Sequence, residues 1–241
     1  MQIDFYEEFP TKDNLEKLKL IKFKSRVFIA AKSLNEFNKI AKQAKRINKN
    51  LNYAYWPIIK NSYWISPFSN TLDLIKLFSE LNKTKKVLLI DLELPLNIKT
   101  IIKNLFSFIK NKELIKKFLE KNKARIITVQ YPPCKLSKIM RLLGTDYNVK
   151  MKKSLMFYTS IIPKFMIKNI EGYLISLKEK EDYFISLGTI AKGIFGSEPI
   201  LSPKNLEKDL KFIKKIGFEK VIIFRLGGLN KNYIKVINKF I

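Results

Sequence analysis

The sequence predicts an α/β fold, a single (β/α)8 TIM-type barrel with about eight parallel strands alternating with helices over residues 1–241. Three observations carry that prediction. Short apolar, strand-like runs recur along the chain, each closing in a polar or aromatic residue and a turn. A helix-patterned stretch follows each run, and such alternation calls for a parallel sheet. The 241 residues match the roughly 250 that a closed barrel takes, with no linker, low-complexity tract or domain boundary between them. An open sheet, with one of the eight runs not a strand, is the alternative.

The elements follow in order. Gln2-Ile3-Asp4-Phe5-Tyr6 reads as the first strand, ending at Glu7-Glu8-Phe9-Pro10, with Thr11 as a helix cap. Arg26 to Ala30 is the second, and Ser33 caps a helix through Phe37, Ile40, Ala41 and Ala44. Asn52 to Trp56 is the third, stopped by Pro57. A long aromatic loop follows, through Tyr63-Trp64-Ile65-Ser66-Pro67-Phe68, before a helix near Leu72 to Leu81. Val87-Leu88-Leu89-Ile90 runs into Asp91-Leu92-Glu93 as the fourth strand and feeds a long helix from Ile101 to Leu119. Ala124 to Tyr131 is the fifth strand, closed by Pro132-Pro133, and Leu155 to Thr159 the sixth, its start near Val149 left open. A helix around Phe165 to Leu177 leads to Tyr183 to Gly188, the seventh strand, and a glycine-rich loop to Pro199. Ser202-Pro203 opens a helix that Gly217 ends. Lys220 to Arg225 is the eighth strand, and Gly227-Gly228 leads to a last helix.

Composition narrows the chemistry. Apolar content of 46% suits a globular chain with a real core. No segment approaches the ~20 apolar residues of a membrane span, and the N-terminus lacks the basic-then-apolar order of a signal peptide, so the cytoplasm is the expected compartment. Cys134, the single cysteine, makes no internal disulfide and no zinc framework. The net charge of +26 has two readings. One is a polyanion partner, a nucleic acid or an anionic surface. The other is solvated lysine faces from compositional bias, which the scatter of lysines over every helix and the five arginines favour. Nonspecific nucleic-acid binding at low salt follows on either. The sequence leaves the oligomeric state open.

The chain contains no histidine. That removes the commonest general base, the Ser-His and Cys-His pairs and the commonest metal ligand. Carboxylates, tyrosines, lysines or arginine must then move any protons. Asp91 and Glu93 lead, because residues two apart on a strand share a face, and in a parallel barrel that face can be the interior. The C-terminal end of such strands is where barrels keep active sites. Two close carboxylates cannot both ionise freely, so one is expected to keep its proton, as a general acid for glycosidic cleavage must. Strand-end helix caps or surface acids are the plainer reading.

Around the same predicted rim lie Glu7 and Glu8, Tyr55 and Trp56, Tyr63 and Trp64, Gln130 and Tyr131, Tyr158, Glu198 and Arg225. Aromatic faces with interspersed polar groups suit sugar rings, and equally suit a packed core. The loop from Gly188 to Gly196, with Gly227-Gly228 and Arg225, suggests phosphate binding, although plain turns explain both clusters. Glu7, Asp91, Glu93 and Glu198 are candidates for an all-oxygen Mg2+ site, with convergence not readable from sequence.

Ile90-Asp91-Leu92-Glu93 resembles the end of the Asp-x-Asp-x-Glu signature of chitinase-like glycoside hydrolases, and Met156-Phe157-Tyr158 looks like that family's Met-x-Tyr-Asp. The resemblance implies a (β/α)8 barrel in which Glu93 protonates the leaving oxygen, Asp91 orients a substrate acetamido group and Tyr158 helps hold the intermediate. The chain departs from the pattern in three places. Leu89 stands where an earlier acid is expected, Thr159 replaces the aspartate after the tyrosine, and Phe224 stands where a tryptophan would floor the sugar.

The expectation is therefore an enzyme acting on a carbohydrate or a glycosylated small molecule. Its catalytic residues are Glu93, Asp91 and Tyr158, and no metal or other cofactor is called for. Its ligand is bound by residues drawn from Glu7, Glu8, Tyr55, Trp56, Trp64, Gln130, Tyr131, Glu198 and Arg225. A non-catalytic polyanion-binding protein and a Mg2+-dependent sugar-phosphate enzyme are the alternatives.

Overall fold

A computed structural model describes residues 1–59, 63–95 and 97–241. Its eight strands are β1 (Gln2–Glu7), β2 (Arg26–Ala31), β3 (Asn52–Pro57), β4 (Leu88–Asp91), β5 (Ile126–Gln130), β6 (Lys152–Met156), β7 (Tyr183–Gly188) and β8 (Lys220–Phe224). Each pairs in parallel with the next, and β8 closes on β1 with Phe5 opposite Ile223, so the sheet is a closed barrel in sequence order. The helices are α1 (Lys12–Glu16), α2 (Leu34–Ile47), α3 (Thr71–Leu81), α4 (Ile98–Lys103), α5 (Phe108–Asn122), α6 (Ser137–Leu143), α7 (Lys164–Ser176), α8 (Pro203–Lys215) and α9 (Lys231–Ile237). No helix among the described residues is long and apolar enough to cross a membrane.

Alternation along each strand splits the core in two. Tyr6, Phe28, Ala54, Trp56, Leu89, Val129, Met156, Phe184 and Ile222 fill the barrel interior. Their neighbours, such as Phe5, Ile29, Tyr55, Ile90, Leu155 and Val221, pack outward under the helices. Strands buried on both faces read as near-continuous apolar runs, which is why the strand signal in the sequence is strong. The interior carries a polar knot at mid-height: the Tyr6 hydroxyl lies 3.0 Å from Ser154 Oγ and 2.7 Å from Ser186 Oγ. This satisfies a phenol that would otherwise be stranded among apolar side chains.

The caps read from sequence are in place. The Thr11, Ser33 and Ser202 hydroxyls accept from the backbone N–H groups of Asn14, Glu36 and Asn205. Three elements differ from expectation. The long helix read from Ile101 to Leu119 is broken into α4 and α5 by a 3-10 turn at Leu105–Ser107. The sixth strand starts at Lys152 and ends at Met156, ahead of the apolar run expected to form it. Its first residues are lysines at the barrel base, where an ammonium reaches solvent or Asp146, so the strand begins before its apolar signal does. The segment before it holds α6, which the sequence reading left without a helix; that helix has no buried residue, so no clear core-facing stripe marks it.

Candidate active site

The strand ends and the loops after them enclose a cavity of about 290 Å3 at the C-terminal mouth of the barrel. β1 sends in Tyr6 and, just past its end, Glu8; β3 sends in Trp56, and the loop after it Trp64. From β4 come Asp91 and Glu93, from β5 Val129 and Tyr131, and from β6 Met156 and Tyr158. The loop after β7 covers one side with Thr189, Ile194, Phe195, Ser197 and Glu198, and Phe224 of β8 completes the wall. The aromatic wall is continuous. Tyr6 packs on Trp56 at 5.6 Å and on Phe224 at 6.1 Å, and Phe224 on Tyr158 at 5.8 Å between ring centroids. Phe224, at the end of β8, is part of this wall.

Four carboxylates face this space. Asp91 is buried, and burial, reinforced by the neighbouring charges of Glu93 and Glu8, pushes its pKa well above the usual carboxylate range; a hydrogen bond from Trp64 pulls the other way. Glu93 is half-buried and is pushed up to about 7, by burial first and then by Glu8. Glu8 is also raised to about 7, by burial, with the Tyr63 hydrogen bond and Arg225 opposing and Glu198 adding to the rise. Tyr63 donates its hydroxyl to Glu8 Oε1. Glu198 Oε1 accepts from Phe195 N at 2.9 Å. Among the described residues, Asp91 Oδ1, Glu8 Oε2, Glu198 Oε2 and the Trp56 indole nitrogen are buried without a hydrogen-bond partner. Buried polar atoms of this kind are rare unless something binds them.

The sequence-derived candidates divide by strand face. Glu93, Asp91, Tyr158, Glu8, Trp56, Trp64, Tyr131 and Glu198 line the cavity together. Glu7, Tyr55, Gln130 and Arg225 do not. Tyr55 lies on the outer face of β3, stacked on Phe37 at 5.0 Å with its hydroxyl toward Glu80, because its neighbour Trp56 takes the inner face. Gln130 is buried on the outer face of β5, while Tyr131 turns inward. Glu7 accepts from Phe9 N at 2.9 Å, Gly227 N at 2.7 Å, Asn14 Nδ2 at 3.2 Å and the Arg225 guanidinium at 3.1 Å. Arg225 also donates to the Lys192 carbonyl at 2.9 Å, tying the loop after β7 to β8.

These contacts correct the two readings built on the glycine clusters. The loop after β7 presents no cationic side chain to the cavity but does present Glu198, whose carboxylate repels a phosphate. Gly227 N is committed to Glu7. Glu7 therefore stands apart from Asp91, Glu93 and Glu198, and among the described residues no three acidic or cysteine side chains converge to hold a metal ion. Gly188 does have a steric role. With φ at 148°, it brings the chain so close to β8 that a Cβ would meet the Phe224 carbonyl oxygen at 2.4 Å.

As site residues, sequence reasoning missed Tyr6, Thr189, Ile194, Phe195 and Ser197, and it named Met156 only within the motif that ends in Tyr158. Tyr6 was within reach, since it precedes Glu8 by two positions and so shares its face. The loop residues carried no periodic signal.

No protein-family model matches the chain, and no curated protein does. Its likeness lies in solved structures. A class V chitinase from Pseudomonas fluorescens Pf-5 is 10% identical with a TM-score of 0.58, over 99% of each chain. The spore cortex-lytic enzyme SleL of Bacillus megaterium QM B1551 is 12% identical with a TM-score of 0.59, over 98% of this chain and 73% of that one. An endocellulase from Pyrococcus horikoshii in complex with cellotetraose is 12% identical with a TM-score of 0.53, over 100% of this chain and 92% of that one. At such identities the likeness is one of fold: the chain shares the (β/α)8 barrel of chitinases and other glycoside hydrolases.

Proposed function

We propose that the protein is a glycoside hydrolase-like enzyme in which Glu93 is the general acid. The observation that carries the reading is the placement of Asp91 and Glu93 at the end of β4, both in an aromatic-walled cavity that raises their pKa values. A carboxyl titrating near neutrality still holds its proton on a useful fraction of molecules and releases it readily, as leaving-group protonation requires. Glu93 donates its proton to the glycosidic oxygen as the bond to the anomeric carbon breaks. Water then adds to that carbon and returns a proton to the carboxylate. Asp91, biased toward its protonated form, donates a hydrogen bond to the bound sugar. Tyr158 supports the reacting sugar from the end of β6, and Trp56, Trp64 and Tyr131 offer faces for the C–H surfaces of sugar rings. The fold of the structural relatives and the resemblance at Asp91-Leu92-Glu93 and Met156-Phe157-Tyr158 support the same assignment.

The test is product release from a panel of oligosaccharides and aryl glycosides, with wild type beside Glu93→Gln. The amide keeps the shape and removes the proton, so turnover should fall by roughly 10²–10⁴-fold with the circular dichroism unchanged. Equal turnover in the two proteins eliminates Glu93 as the acid. No turnover in either removes the hydrolase reading.

A further inference from the structure

The chain carries a net charge of +26, yet among the described residues no lysine or arginine lines the cavity, while four carboxylates do. Three of those four are nearly fully buried, with exposures of 5% for Glu8 and Asp91 and 8% for Glu198. Each of the three keeps one oxygen buried with no hydrogen-bond partner. Arg225 acts on Glu8 from outside the cavity, but its own N–H groups go to Glu7 and the Lys192 carbonyl. Glu8 and Glu198 also converge. A Cβ placed on Gly193 would stand 3.1 Å from Glu8 Oε2 and 2.9 Å from Glu198 Oε1, so both carboxylates reach one spot that only a glycine leaves free. Acids brought together in a low-dielectric site without a counter-charge either keep their protons or are stabilised in the charged form by an arriving cation.

We infer that the cavity is built for a cationic saccharide, one carrying a free, protonated amine, whose ammonium group sits between Glu8 and Glu198. The inference rests on the glycan-active reading and names its substrate class. A divalent metal is the poorer occupant, since no three ligating side chains among the described residues converge on a point. An ammonium needs fewer. It offers three N–H donors, and the unpaired oxygens supply acceptors. A bound ammonium in turn favours the ionised form of Glu8. The lysine surface does not reverse this preference, because at physiological ionic strength charges beyond about 8 Å are largely screened. A neutral N-acetyl sugar offers the Glu8 and Glu198 oxygens only uncharged hydroxyl and amide donors, which make weaker hydrogen bonds to a carboxylate than an ammonium does.

The test uses Glu93→Gln protein, to suppress turnover, and calorimetric binding at physiological salt of three tetrasaccharides: β-1,4-linked glucosamine, its fully N-acetylated counterpart, and cellotetraose. The glucosamine oligomer should bind about tenfold or more tighter than either neutral one, the order expected of one charge-assisted hydrogen bond. Adding Glu8→Gln or Glu198→Gln should collapse that ratio toward one, and raising the salt should weaken only the glucosamine complex. Equal or tighter binding of a neutral tetrasaccharide overturns the cationic assignment and leaves the glycan reading standing. A preference for glucosamine that survives both substitutions overturns the placement of the amine. Binding of none of the three overturns the glycan reading, and the inference with it.

Discussion

Glu7 and Glu8 are adjacent in the chain, and the end of β1 sends them into opposite surroundings. Glu7, on the outer face, is fully buried, and its carboxylate meets a guanidinium, two backbone N–H groups and an asparagine amide. Glu8, on the inner face, meets one tyrosine hydroxyl and the like charge of Glu198, and leaves an oxygen bare. Burial raises both to about 7, but against different opposition: at Glu7 every neighbour favours the charge, and at Glu8 one neighbour resists it. A carboxylate answered on every side holds structure together. One left unanswered in a cavity is available for a ligand. The same division runs through Tyr55, whose hydroxyl reaches Glu80, and Trp56, whose indole nitrogen has no partner among the described residues.

Substitutions break this comparison if the two faces are alike. The largest stability effect is expected at Glu7. Glu7→Ala strands Arg225, 11% exposed, and frees the tie between β1 and β8, so it should cost about 3–5 kcal/mol in denaturant unfolding, the range for breaking a buried pair. A loss no larger than that of an ordinary surface change would erase the distinction.

Glu8→Gln should act in the other direction. A carboxyl whose folded pKa is about 7 against a usual value of 4.5 binds more protons folded than unfolded between those values. Stability is therefore fullest below pH 4.5 and is lost as pH rises through about 7, a slope to which Glu7, Glu8 and Glu93 all contribute. Removing the Glu8 charge should raise stability at pH 8 by roughly 1–3 kcal/mol and make the decline between pH 5 and 7.5 shallower. An unchanged slope would show that Glu8 is well solvated, against its placement here.

The smallest effect belongs to Tyr55→Phe. It removes a hydroxyl that points to Glu80 on the outer face, so it should cost about 0.5–1.5 kcal/mol and leave turnover as it was. A fall in turnover comparable to that of a cavity residue would place Tyr55 in the site after all.

Much of this was legible without coordinates. Period-two alternation put Asp91 and Glu93 on one face, and the same rule applied to Tyr6 would have joined it to Glu8. Helix caps at Thr11, Ser33 and Ser202 were readable because a hydroxyl before a helix satisfies a free N–H group. The sixth strand was misplaced and α6 overlooked, for a common reason. Lysines at a barrel base and an unburied helix carry no hydrophobic signature.

What the sequence determined by itself is the alternation of strand and helix, and through it the barrel. That information is local, because most strands are apolar on both faces and most helices on one. Which of two neighbouring residues faces the cavity also follows locally, once a single inward residue is known. Only the tertiary structure decided which residues meet across the mouth. Glu8 and Glu198 are brought together by ring closure and by the fold-back of the loop after β7, which Arg225 holds through the Lys192 carbonyl. No period in the chain encodes that meeting. It arises because a closed sheet sets the end of its first strand beside its last, so acids far apart in sequence share one cavity and one unbalanced charge.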